Sequence, residues 1–526
     1  MYAIIVTAVA FTAFVGYFIL YPVLVYLRDA KGLRRYPAFH PLAGITNLAF
    51  MGESMKGFRS KTLHEMHKTH PVIRTGPNSL SYGSLDAIKD IYGHGTKCTK
   101  GEFYETLAGT HFHLADVVDK LDHQRKRRAL SAAYALKNLE NWEFKVADKT
   151  ERFLKAADGA CTLPLKKGFR PEASDLTFDY RAYSNYFTLD AIADIGLSER
   201  LGFLDQGHDL VKAERMDGTI HYVNYRECLH STARAQAVLA WSEKWYNFSV
   251  ELSKLVSPQF RKWWKLNEGW NDIVYHRATQ RLKRHEAGER LPDFFQAIMD
   301  HNDANDTGIE WGEVVAEVSI MMNAGSDTTA IAMNNVVFWL LKNPSCLARL
   351  REEVDAVLDP DEVVAPYDKV KHLPYLRACL DESLRITPPT TFGLPRRTPA
   401  EGANILGDFI PGGTTVAISA YVAHRDPKMF PNPESYIPDR WLGEKGKDLQ
   451  PYFISFSAGA RGCIGRNISY LEQTVLLASV VHRYELALPH PEWEPERWET
   501  MNLSPGPMPL KLWRRDLGGS EFNEKE

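Results

Sequence analysis

The stretch Phe456-Ser457-Ala458-Gly459-Ala460-Arg461-Gly462-Cys463-Ile464-Gly465 constrains this chain more than any other. One cysteine stands in a loop with glycine four residues before it and two after it. The apolar run from Ile468 to Val481 that follows predicts a helix. Glycine lets a backbone take positive φ and come close to a flat group. A thiolate at the start of a helix is stabilised by backbone N–H groups and by the helix dipole. Cys463 is therefore placed to stay deprotonated as an axial ligand to a metal. Cys98, Cys161, Cys228, Cys346 and Cys379 have no such setting and read as small buried hydrophobes. The chain holds no Cys-x-x-Cys pair, which removes zinc and iron–sulfur readings, and its scattered cysteines do not form a disulfide framework.

The N-terminus carries a second signal. No charged side chain occurs from Met1 to Leu27, and Ile4 to Tyr26 is long enough to cross a bilayer as a helix. Arg28, Lys31, Arg34 and Arg35 follow at once. The positive-inside rule then leaves the rest of the chain in the cytosol. A cleaved signal peptide would need a basic start and a shorter apolar run. Pro22 is expected to kink the anchor. Residues 28–44, with Pro37 and Pro41, read as a stiff basic hinge. Residues 45–514 read as one large globular body and 515–526 as a polar tail, because no linker, repeat or low-complexity run divides the chain. A net charge of −3 gives no reason to expect nucleic acid. Sequons at Asn247, Asn305, Asn467 and Asn502 would be unused in a cytosolic domain.

Helical periodicity and composition predict helices over 119–135, 138–156, 187–197, 231–255, 270–286 and 308–343, the last ended by Pro344. A further helix over 375–386 is stopped by Pro388-Pro389. Strand signals are short: 71–74, 79–82 and 414–419. The predicted class is mainly α with small β-sheets. The long helix contains Ala324-Gly325-Ser326-Asp327-Thr328-Thr329, with a glycine near its middle that weakens it by about 1 kcal/mol relative to alanine. Glu382 and Arg385, three residues apart, share one helix face.

The pattern Phe-x-x-Gly-x-Arg-x-Cys-x-Gly resembles the haem-binding loop of the cytochrome P-450 monooxygenases. Ala-Gly-Ser-Asp-Thr-Thr resembles that family's oxygen-activation motif, Glu382-x-x-Arg385 its Glu-x-x-Arg, and Pro438-Asp439-Arg440-Trp441 its Pro-x-Arg-Phe-like segment. The motifs occur in family order. Tyr92-Gly93-His94-Gly95, Phe103-Tyr104 and Gly393-Leu394-Pro395-Arg396 are similar to fungal microsomal members, with the flavour of the benzoate para-hydroxylases.

The resemblance implies a cytochrome P-450 fold behind an N-terminal transmembrane helix. It implies haem b with Cys463 as iron ligand. Thr328 is then the proton-relay alcohol and Asp327 its acidic partner, since dioxygen activation needs protons and a carboxylate can refill the relay. Small residues around Gly325 are expected to let the helix bulge and leave room for O2. Glu382, Arg385 and Arg440 form a buried network that locks the cysteine loop. Arg461, Arg396 and Arg127 clamp the haem propionates. His123 stands where the family has Trp, a departure, and can still reach a propionate. The run Gln124-Arg125-Lys126-Arg127-Arg128 is expected to dock an acidic NADPH-dependent flavoprotein reductase, with cytochrome b5 as a second donor. The pocket is expected to be lined by Phe103-Tyr104, His111-Phe112-His113, the helix around Ala324, Thr390-Thr391-Phe392 and residues 502–508. The expected activity is insertion of one oxygen atom from O2 into an apolar small molecule, an aromatic or polyketide-derived intermediate of fungal secondary metabolism, at the endoplasmic reticulum membrane. A haem-thiolate isomerase or dehydratase that uses no O2, or a non-catalytic haem-binding protein, remain as alternatives.

Overall fold

The computed structural model describes residues 1–131, 134, 142–166, 168–305 and 308–517. The predicted helix boundaries at 132–138, the sequon that begins at Asn305, and most of the polar tail fall on residues outside these. The body is mostly helical. The helices that build the site are α1 (Lys120–Ser131), α2 (Tyr180–Leu197), α3 (Phe294–Asn305), α4 (Trp311–Lys342), α5 (Pro374–Ile386) and α6 (Arg466–Arg483). The central α4 packs against α2 on one side and against α5 and α6 on another. Glu310 and Glu313 cap its first turn reciprocally.

A four-stranded sheet accompanies the helices. Its strands are β1 (Val72–Gly76), β2 (Ser79–Tyr82), β3 (Arg396–Arg397) and β4 (Thr415–Ile418), in the order β1-β2-β4-β3. Only β2 and β4 run parallel, with Ser79 opposite Thr415. The pairing of Arg396 with Val416 sets the position of Arg396. A second sheet joins Tyr484–Ala487, Pro509–Arg514 and Phe178–Asp179.

The predicted 231–255 helix is two, Tyr225–Leu239 and Tyr246–Val256, broken where Glu243 takes φ 35°. Trp241 sets the break: its ring lies 4.6 Å from Phe103 and 5.0 Å from Phe50, and Arg59 stacks on it at 4.5 Å. That aromatic packing outweighs helical periodicity. The exposed hairpin Leu210–Glu214/Ile220–Asn224 had no strand signal strong enough to predict it.

Gly325 does not bulge α4, which runs unbroken from Trp311 to Lys342. A Cβ there would stand 2.7 Å from Ile192 Cγ1, and one on Gly196 would strike Met321. The two glycines let α2 and α4 cross closely.

The anchor also differs. Its helix spans Ile4–Arg28 and is exposed along its length, and it passes through a π-helical turn, Gly16–Leu20, just before Pro22. The π turn absorbs the missing proline N–H and the ring's clash with the preceding turn, so no sharp break is needed. The hinge is pinned to the body: Phe39 N–H donates to Arg74 O and Arg74 N–H to Pro37 O, both at 2.8 Å.

Candidate active site

Cys463 lies in the loop ahead of α6 with its sulfur open to a cavity of about 370 Å3. Its own N–H donates to Phe456 O at 2.9 Å, which closes the loop. Gly459 is the glycine the loop requires: it sits at φ +63°, and a Cβ would strike Tyr92 O. Burial pushes the Cys463 thiol above its ordinary value, while the Gly465 N–H, Arg127 and the Arg466 N–H pull the other way. The N–H groups at the start of α6 thus point at the sulfur, and a metal cation would complete its deprotonation.

Behind this loop lies a buried carboxylate. Both Glu382 oxygens take Arg385, through Nη2 and Nε at 2.9 Å each. Oε1 also accepts from Arg440 Nε at 3.1 Å and Ile437 N at 2.9 Å, and Oε2 accepts from Trp441 Nε1 at 2.9 Å. Arg385 reaches on to the carbonyls of His424, Pro433 and Ser435. His424 is fully buried and pushed down to about 3 by burial and Arg385. It is therefore neutral. Its Nδ1–H donates to Arg385 O, and its Nε2 accepts the Ile454 N–H at 2.9 Å. The Glu–Arg pair predicted from spacing is thereby tied to the segment that enters the cysteine loop. The sequence reading missed the parts of Trp441 and His424.

Arg396, Arg461, Arg127 and His123 all line the cavity, as does Lys100, which the sequence reading missed. Arg396 donates to Tyr104 Oη at 2.8 Å. Arg461 donates to the carbonyls of Val117 and Val118 at 2.8 and 3.2 Å, and Arg127 to Gly462 O at 2.8 Å. Lys100 donates to Ala115 O. No described carboxylate lies within ion-pair distance of these four cations. Burial and then Arg396 push Arg461 down to about 10, and burial with Arg396 and Arg461 lowers Lys100. A wall of buried and half-buried cations with no counter-charge among the described residues fits a dianion. Together with the open Cys463 sulfur, it fits haem with its two propionates.

α4 carries Ala324, Gly325 and Thr328 on the cavity face. Thr328 Oγ1 donates to Ala324 O at 2.8 Å. Asp327 turns away from the cavity. Its Oδ1 accepts from Arg181 Nη2 at 2.9 Å and meets His230 Nε2 at 3.1 Å, while Oδ2 accepts from Asn502 Nδ2 at 3.1 Å. Burial alone would raise its carboxyl, but His230 and Arg181 outweigh it and hold the group well below the carboxylate range. A second small cavity, lined by His230, Asp327 and Asn502, lies on this outer side.

The predicted lining is partly corrected. Tyr104, Thr390 and Phe392 face the cavity, whereas Phe103 packs against Trp241 and Thr391 is buried behind. His111, Phe112 and His113 do not line it. His113 pairs with Asp116 at 3.2 Å, and the following Leu114 and Ala115 form the wall instead. Residues 502–508 also stay outside. Asn502 holds Asp327, and its Oδ1 accepts from Thr390 Oγ1 at 3.1 Å. Phe294, Phe295 and Ile298 of α3 supply apolar lining that was not expected.

The basic run of α1 is not one surface patch. Helical periodicity spreads it around the helix. Lys126 is buried against Glu313, Arg125 pairs with Asp122 at 2.7 Å and Glu313 at 2.5 Å, and Arg127 faces the cavity. Gln124 and Arg128 are exposed.

With this geometry in view, comparison with known proteins is direct. The family model for cytochrome P450 matches residues 37–512, and the chain belongs to that family. It is thus a haem-thiolate, oxygen-incorporating oxidoreductase. It is 28% identical over 477 residues to benzoate 4-monooxygenase bphA of Aspergillus niger, covering 89% of this chain and 90% of that protein. It is 30% identical over 462 residues to cytochrome P450 monooxygenase AMT3 of Alternaria alternata, covering 86% and 88%. The crystal structure of the cytochrome P450 CYP102L1 superposes with a TM-score of 0.70 at 18% identity, covering 91% of this chain and 99% of that one, and bears on the fold alone.

Proposed function

We propose that this chain inserts one oxygen atom of O2 into a neutral, largely apolar small molecule, an aromatic or polyketide-derived metabolite. Its electrons would come from an NADPH-dependent flavoprotein reductase at the endoplasmic reticulum membrane. The observation that carries the reading is one cavity lined by both Cys463 and Thr328. When bound, haem ligated by a thiolate supplies the O2 chemistry. The chain's residues do the rest. Cys463 would ligate the iron, with Gly465 and Arg466 N–H groups directed at its sulfur. Lys100, Arg127, Arg396 and Arg461 would hold the propionates, with His123 beside them. Glu382, Arg385 and Arg440 keep the loop rigid.

Thr328 Oγ1 is the inner end of the proton route, and Asp327, held ionised by Arg181 and His230, is its acidic partner on the outer side. His230, a quarter exposed, links Asp327 to solvent. Because Asp327 faces outward, a proton reaches Thr328 only when the carboxylate leaves Arg181 or a water bridges the two. The apolar lining excludes bulk water. The anchor holds the body at a bilayer. Tyr17 and Phe18 of the anchor pack against Trp245, edge-on at 5.4 Å and tilted at 4.9 Å, next to the exposed Phe248, Leu252 and Leu255.

The test is a Soret-shift titration of the haem-loaded protein with benzoic acids, cresols and polycyclic polyketides. Turnover of whichever ligands bind, with reductase, NADPH and isotopically labelled O2, then follows. One labelled oxygen atom in the product supports the reading. Turnover without label overturns it in favour of isomerisation or dehydration.

A further inference from the structure

Glu317, Met321, Ala324 and Thr328 occupy i, i+4, i+7 and i+11 of α4, a single stripe, and all four line the cavity. Glu317 is the one ionisable residue on that stripe. It is 6% exposed. Its Oε1 accepts the Leu114 N–H at 2.8 Å and faces Lys126 Nζ at 3.9 Å. No described residue hydrogen-bonds its Oε2. Glu317 lines the cavity, where a ligand group can reach a carboxyl oxygen. The helix rise places Glu317 about 10 Å from Ala324 along the axis, on the same face.

The groups around it are mixed. Lys126 stabilises its charge, and Asp116 and Glu313 oppose it. Burial leads these effects and pushes the carboxyl up to about 8. Near neutrality the group therefore exists in both protonation states. In the function proposed above, the cavity's cations Lys100, Arg127, Arg396 and Arg461 are taken by the haem propionates.

We infer that Glu317 determines specificity by hydrogen-bonding, through Oε2, a hydroxyl group on the end of the substrate remote from the reacting carbon. This deepens the function proposed above and rests on it. A hydroxyl both donates and accepts, so it satisfies Glu317 whether ionised or protonated. A ligand carboxylate meets repulsion once Glu317 ionises, and finds a donor there only when Glu317 is protonated. Substrates then resemble phenols or alcohols about two rings long rather than short aromatic acids.

The test uses haem-loaded protein and three probes of matched length: 4-hydroxybiphenyl, biphenyl and biphenyl-4-carboxylate. Dissociation constants are read from the Soret shift at several pH values, for wild type, Glu317→Gln and Glu317→Leu. The wild type should bind 4-hydroxybiphenyl about tenfold more tightly than biphenyl, the size of one good buried hydrogen bond. Glu317→Gln keeps an acceptor for Leu114 and a polar group in the cavity, and should keep most of the preference. Glu317→Leu should abolish it. The carboxylate should weaken as pH rises through about 8 in the wild type, but not in Glu317→Gln.

Equal binding of biphenyl and 4-hydroxybiphenyl by the wild type overturns the proposal. So does a preference that survives in Glu317→Leu, or the absence of a shift with all three probes. The carbon-monoxide difference spectrum of the reduced protein separates these failures from failure of the haem-thiolate reading. An intact thiolate band with no hydroxyl preference rejects only the role of Glu317.

Discussion

Two buried carboxylates in this molecule face pairs of basic side chains, and they are built for opposite purposes. Glu382 is fully buried and takes five N–H donors on its two oxygens. Every neighbour is a donor, and each is fixed by backbone or by packing. Asp327 takes three, one of them from the partly exposed His230, and a small cavity adjoins it. A carboxylate saturated by donors cannot release them without leaving buried charges behind. A carboxylate held by fewer donors, next to a partly exposed histidine and an opening, can exchange one donor for a water and so orient a proton-carrying chain. The first arrangement suits a lock beneath the cysteine loop and the second a relay above the cavity.

Neutral isosteres should separate the two most sharply. In Glu382→Gln the amide NH2 must point at a donor whichever way it turns, and two guanidinium groups lose their counter-charge. A loss of several kcal/mol is expected, on the order of 3–5 for a broken buried pair. Thermal unfolding and haem content should both collapse. Asp327→Asn should instead incorporate haem normally. Its new NH2 meets Asn502, whose amide can turn to present oxygen. NADPH-dependent product formation should fall about a hundredfold, the usual scale for losing a proton-transfer group. If Glu382→Gln keeps its haem, or Asp327→Asn loses it, the two networks are not different in kind.

Thr328→Ala sharpens the relay side of the contrast. Its hydroxyl bonds only its own helix, at Ala324 O, so its removal should leave stability within about 1 kcal/mol and haem content unchanged. NADPH consumption should continue while product falls severalfold and hydrogen peroxide rises. Full coupling in this variant would remove Thr328 from the proton route. Gly325→Ala tests the packing behind it. The added methyl meets Ile192, and a loss of about 1–3 kcal/mol in unfolding free energy should follow.

The sequence made the lock more legible than the relay. Glu382 and Arg385 are one helical turn apart, and Arg440 belongs to a short motif, so local spacing carries them. The Asp327 partners Arg181, His230 and Asn502 lie on separate segments with no shared motif, and only the tertiary fold joins them. The same logic explains the propionate wall. Arg461 was visible beside Cys463, but Lys100 reaches the cavity from a turn whose path depends on contacts distant in sequence. Residues 502–508 were expected in the cavity from their family position, yet Asn502 turns toward Asp327 instead. The break at Glu243 was hidden because Trp241 is drawn from a good helical pattern into an aromatic cluster that periodicity cannot represent. The motif-bearing helices α4, α5 and α6 were predicted within a few residues, because long buried helices carry strong apolar runs.

The smallest expected effect lies in the pH dependence of stability. Asp327 has a folded-state pKa well below that of an unfolded aspartate, so its native contacts stabilise the protein fully above about pH 4. That contribution is lost as pH falls further, because the unfolded chain takes up a proton that the native state refuses. Asp327→Asn also loses a partner for Arg181 and will be less stable at every pH, so the level of stability is not informative. The slope is. Between about pH 4 and pH 2 the wild type should lose stability more steeply than Asp327→Asn, by up to one proton's worth of linkage. Above pH 5 the two curves should run parallel. Denaturant unfolding of the haem-loaded proteins across that range measures both slopes. Equal slopes on the acid side would mean that Arg181 and His230 do not hold Asp327 ionised. In that case Asp327 would take up a proton in the folded protein as readily as in the unfolded chain, and its donors would not form an anion-holding network to set against the one around Glu382.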